Sequence, residues 1–76
     1  MDLQPHDHPK QLIEQLAADP RVGRVKIHLR GNTEVSGTIG PMGEHSVIIK
    51  ALTGREFFDA YVLYDSITCV EVQTRA

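Results

Sequence analysis

From Pro9 onward the apolar residues Leu12, Ile13, Leu16 and Ala17 recur at helical spacing and fall on one face. Asp7 or His8 is placed to cap this helix, and Pro9 suits its first turn. Asp19-Pro20 ends it, because the residue before a proline is driven out of the helical region. After Gly23 the period drops to two. Val25, Ile27 and Leu29 alternate with Lys26, His28 and Arg30, the pattern of a half-buried strand. Gly31-Asn32 makes a tight turn, both residues tolerating positive φ. Val35, Gly37 and Ile39 alternate with Glu34, Ser36 and Thr38 in a second strand, and Gly37 within it signals a sharp bend or bulge. Gly40-Pro41-Met42-Gly43 reads as the next turn. Residues 46–52 read as a third strand, Thr53-Gly54-Arg55 as a hairpin turn and residues 56–64 as a fourth strand. Asp65-Ser66 turns the chain into a fifth, ITCVEV.

One short helix followed by five short strands predicts a mainly β chain: an N-terminal α-helix and a strongly bent five-stranded antiparallel small barrel. Residues 1–8 are polar and read as a flexible tail, leaving one domain over 9–76. The third and fourth strands break the alternation. Val47, Ile48 and Ile49 are consecutive apolar residues, and so are Tyr61, Val62, Leu63 and Tyr64. Both faces of those strands want cover, and one helix cannot supply it. A homo-oligomer is therefore expected, with a late edge strand meeting a neighbour. The alternative is a monomer whose surplus apolar residues lie under the helix.

Length and composition narrow the function. Seventy-six residues hold one domain and leave little room for a self-contained enzyme. The single cysteine, Cys69, cannot form an internal disulfide and reads as a small buried hydrophobe. No apolar run reaches membrane-helix length and the first residues do not resemble a signal peptide, so the expected location is the cytoplasm, without membrane association. A formal net charge of −2 gives no general attraction for nucleic acid. Its distribution is uneven, however: Arg21, Arg24, Lys26 and Arg30 crowd one stretch, while Glu56, Asp59, Asp65 and Glu71 fall in the last third. Such asymmetry suits a basic face for a polyanion, complementary edges of neighbouring subunits, or two solvated faces. No serine has a base and an orienting acid in a motif, and the glycines are spaced for turns, not for a phosphate loop. His6-Asp7-His8 carries metal-ligating groups but stands in the tail with no supporting shell, so neither a metal nor another cofactor is expected.

The stretch VKIHLRGNTEVSGTIGPMGEHSVIIK resembles the first motif of the Sm and Sm-like family, with spacing closest to its bacterial Hfq branch. Val25, Ile27, Leu29, Gly31-Asn32, Val35, Gly37, Ile39 and Met42 carry the likeness, and VLYDSITCVEV is similar in register to the second motif. The resemblance implies a helix-capped bent barrel and a homo-oligomeric ring of six or seven subunits, closed by the fourth strand of one copy and the fifth of the next. It also implies binding of single-stranded RNA without catalysis. The family's base-stacking position falls on His45, and Tyr64 stands beside the turn where the family lines its pore. Arg21, Arg24, Lys26 and Arg30 are the candidate phosphate contacts. The sequence departs from the family at Gly43, where an aspartate is usual, at Glu44, where Hfq reads uridine with glutamine, and at Val47, where Sm proteins carry asparagine. The pore run is Leu63-Tyr64-Asp65, with an acid in place of histidine or asparagine and no basic group. These departures point to altered RNA specificity, or to an Sm-like scaffold or protein-binding module that has lost RNA binding.

Overall fold

A computed structural model describes residues 1–75. Helix α1 spans Pro9–Ala18 and is followed by β1 (Arg24–Leu29), β2 (Thr33–Met42), β3 (Ser46–Lys50), β4 (Ala60–Leu63), a single 3-10 turn η1 (Tyr64–Ser66) and β5 (Ile67–Glu71). The strands form one antiparallel sheet in the order β4-β3-β2-β1-β5. The sheet does not close within the chain, so β4 and β5 each keep a free edge. The mainly β architecture and the helix-then-strands order agree with the sequence pattern.

Helix α1 opens at His8, whose extended backbone breaks the helical run and whose N–H donates to the Gln11 side chain at 3.4 Å. Proline at the first helical position costs no hydrogen bond. At the far end Asp19 is extended, as a residue before proline must be. Ile13 and Leu16 are the buried residues of the helix, and they complete a core with Val25, Ile27, Val47, Ile49, Leu52, Val62 and Tyr64. The residues before the helix have no regular structure, yet Met1 packs at the core's margin and the His6 ring hydrogen-bonds Gln15 at 2.7 Å.

Gly31 and Asn32 both take positive φ, at 84° and 63°, and join β1 to β2 as the turn chemistry requires. At Gly37 the backbone of β3 lies too close to admit a side chain. A Cβ there would stand 2.5 Å from the Lys50 carbonyl oxygen and 2.9 Å from Cγ2 of Ile49.

Three boundaries and one burial differ from the sequence pattern. The expected turn at 40–43 is strand as far as Met42, and the pairing with β3 slips between Ile39 and Met42. A bulge absorbs Gly40-Pro41 without breaking the strand, and a proline fits there because no ladder bond needs its missing N–H. The expected strand over 56–64 is only Ala60–Leu63. The segment before it is a compact loop: Leu52 N–H bonds Phe58 O at 3.0 Å, Phe58 N–H bonds Arg55 O at 2.8 Å, and Ala51 N–H bonds the Asp59 carboxylate at 3.0 Å. Those bonds consume the backbone groups that a longer strand would need. Leu52 therefore lies outside β3, although it is buried. Cys69, expected inside, is exposed. The register between β1 and β5 shifts so that Leu29 faces Ile67 and His28 faces Cys69, with Thr68 as the extra residue. The bulge turns Ile67 and Val70 toward the core and Cys69 with Glu71 away from it.

Candidate functional site

The β2–β3 turn, η1 and the start of α1 converge on a cleft of about 540 Å³, which brings His45 and Tyr64 together. Backbone bonds fix the arrangement. Gly43 N–H bonds Ser46 O at 2.8 Å to tighten the turn, and Tyr64 N–H bonds His45 O at 3.0 Å to tie η1 to it. The Tyr64 hydroxyl donates to Gly43 O at 3.0 Å. The Tyr64 ring is only 5% exposed and belongs to the core. Burial, with Glu14 adding to it, pushes the phenol above its ordinary range, so it stays a neutral donor. Tyr64 thus presents a hydroxyl edge to the cleft and not an open ring face. His45 is exposed at the cleft mouth. Glu14, Glu44 and Asp65 also line the cleft, against Lys10 alone among the Lys and Arg residues. The acids outnumber the bases, an environment that resists phosphate and admits a neutral or cationic group.

The four basic candidates do not join this cleft. Arg24, Lys26 and Arg30 share one face of β1 and its extension, but Arg24 and Arg30 lie about 20 Å apart at strand rise. Arg21 is paired with Asp19: its Nε and Nη2 donate to the carboxylate at 3.0 and 2.7 Å. This pairing holds the Asp19 carboxyl at about 2, chiefly through the Arg21 side-chain hydrogen bond. Arg24 donates to Thr53 Oγ1 at 3.1 Å and to the Ala51 carbonyl, which ties β1 to the β3–β4 loop. Lys26 faces Glu71 across the β1–β5 ladder. Between Lys26 and Arg30, His28 contacts Glu71 on β5 and, at 3.6 Å, Glu34 on β2. The His28 hydrogen bond lowers the Glu71 carboxyl below its ordinary range. The stretch that is purely basic in sequence is therefore interleaved with carboxylates from the two neighbouring strands.

Two features escaped the sequence pattern. Arg21 and Arg24 meet Arg75 and Val72 around a second cleft of about 690 Å³ beside the end of β5. Arg75 gives no signal in sequence, because only the fold returns it to the start of β1. The other feature is the exposed aromatic pair in the loop before β4, which adjoins the outward apolar residues of β4 that the run Tyr61 to Tyr64 does announce. Tyr61 is 67% and Leu63 47% exposed on β4, and Phe58 and Phe57 are 58% and 102% exposed in the loop before it. Among the described residues no three His, Cys, Asp or Glu side chains converge to hold a metal, and no helix is long and apolar enough to cross a membrane. No family model matches the chain, and no curated protein or solved structure matches it.

Proposed function

We propose that this chain is a non-enzymatic, cytoplasmic, Sm-like subunit that assembles into a homo-oligomeric ring, and that the ring serves as a scaffold or protein-binding module. The observation that carries this reading is the pair of free sheet edges, one of them flanked by outward Tyr61 and Leu63. Each neighbouring pair in the sheet is antiparallel, so β4 and β5, separated by three strands, run in the same direction. An antiparallel junction between β4 of one copy and β5 of the next therefore turns the second copy over. The side of β4 that carries Tyr61 and Leu63 then lies on the core side of the neighbour's sheet. That gives the surplus apolar residues their cover without a second helix. A ring of six or seven copies is the size the family resemblance implies.

Native mass spectrometry tests the reading. The wild-type chain is expected as a closed assembly, and Leu63→Asp and Tyr61→Asp as folded monomers with an unchanged circular dichroism spectrum. A wild-type monomer at tens of micromolar would remove the proposal.

Binding of single-stranded RNA is a second reading, favoured by one observation: exposed His45 shares a cleft with the Tyr64 hydroxyl and Lys10. It predicts RNA affinity that falls steeply with salt and falls at least about tenfold in His45→Ala, through loss of a stacking surface. The carboxylates of the cleft and the paired state of Arg21 weigh toward the scaffold. A ring that ignores oligouridine and oligoadenosine at low salt is the expected outcome.

A further inference from the structure

We infer that the loop tip Glu56-Phe57-Phe58-Asp59 is a docking element, and that it seats in the arginine-lined cleft of the next copy of this chain. The inference rests on the β4–β5 junction proposed above, and goes beyond it by naming a second contact outside the strands.

The tip is an exposed aromatic pair between two acids. Phe57 is fully exposed, and Phe58, more than half exposed, has the Arg55 guanidinium over its ring, 5.5 Å from the centroid. Two exposed phenylalanines at one loop tip are unusual on a solvated surface. The loop that carries them is not slack. Leu52, bonded to Phe58 O, is in the core; Asp59 accepts from Ala51 N–H; and Glu56 accepts from Gly54 N–H at 2.7 Å. Arg24 holds the start of the loop through Ala51 and Thr53. The aromatic pair is therefore presented on a braced support, which lowers the entropic cost of docking.

The cleft has complementary chemistry. Its walls carry Arg21, Arg24 and Arg75, with Val72 as an apolar surface. Asp19 takes Nε and Nη2 of Arg21, and Nη1 has no hydrogen-bond partner among the described residues. Guanidinium planes receive aromatic faces and carboxylates together, so one arginine cluster suits both components of the tip.

Position joins the two. The tip immediately precedes β4, and Val72–Arg75 immediately follow β5. In an antiparallel junction the start of β4 meets the end of the neighbour's β5. The direction of pairing that covers Tyr61 and Leu63 is thus the one that carries Phe57 and Phe58 toward the neighbour's Val72 and Arg75. An opposite-charge contact at this point also fixes direction and register, which a four-residue edge strand specifies poorly by itself.

Sedimentation over a concentration series on the full chain tests this. Phe57→Ser/Phe58→Ser is expected to raise the concentration for half-dissociation at least about tenfold while leaving the circular dichroism spectrum unchanged. Glu56→Lys and Arg75→Glu are each expected to weaken assembly, and together to restore most of it. Wild-type assembly with neither the aromatic effect nor the charge rescue would overturn the docking and leave the strand junction standing, the tip then being free for a different protein. A wild-type chain that never assembles would overturn both.

Discussion

Gly37 shows how narrowly the sheet tolerates change at one residue. With the Lys50 carbonyl oxygen 2.5 Å from where a Cβ would stand, alanine forces backbone apart from backbone, not from a flexible side-chain end. Gly37→Ala is expected to cost about 1–3 kcal/mol, the range for overpacking. That lowers the melting midpoint by roughly 4–8 °C per kcal/mol in a domain of this size. A thermal melt within 2 °C of wild type would show that β2 and β3 can part freely. In sequence this glycine read as a bend or bulge; the register slip falls after Ile39 instead, and what Gly37 permits is the close approach of β3. The exposure of Cys69 was not legible. Its inward reading followed from its character as a small hydrophobe within ITCVEV, and the bulge at Thr68 turns it outward. Bulges leave little trace in hydropathy. Tyr64 was half legible: its place beside the Asp65-Ser66 turn follows from the sequence, but its meeting with His45, the buried ring and the hydroxyl bond to Gly43 depend on how η1 folds back.

At the level of elements, α1 and β1 were the best read. Their boundaries are set by local chemistry: a proline at each end of the helix region, and clean alternation in the strand. β4 was read nine residues long and is four, because Asp59 and Phe58 bond back to Ala51 and Leu52, contacts between residues eight and six positions apart that the Thr53-Gly54-Arg55 turn does not announce. The corner between α1 and β1 adds a pH-dependent contact. The Asp19 carboxyl accepts from both the backbone N–H and the side chain of Arg21 and stands at about 2 against an ordinary 3.8. The folded state thus binds this proton less readily than the unfolded chain does. The contact contributes fully above about 3.8 and is lost as pH falls through about 2. Carboxyl chemical shifts are expected to place the Asp19 midpoint well below that of an exposed aspartate, and Arg21→Ala to return it to the ordinary range. An unchanged midpoint in the variant would show that Arg21 does not hold the carboxylate.

For the whole molecule, the important property is that the sheet is unfinished. A chain of this size buries too little surface to be strongly stable alone, and its two free edges, that of β4 with an apolar flank, are what a second copy could complete. The candidate basic face lost its coherence at more than one scale: Arg21 is already paired with Asp19 two residues away, Glu34 comes across the hairpin from β2, and Glu71 arrives from a strand that sequence proximity does not reveal. The arginine cleft emerged at this scale for the same reason, since Arg75 reaches Arg21 only through the β1–β5 pairing. The bulge in β5 has a consequence of its own. By turning the single thiol of the chain outward on a free edge, it makes that sulfur a chemical gauge of vacancy. In the overturned junction the outward side of β5 comes to lie on the neighbour's core side. Under the junction proposed above, the alkylation rate of Cys69 is expected to count open ends, fast in dilute solution and slow once every end has found its successor.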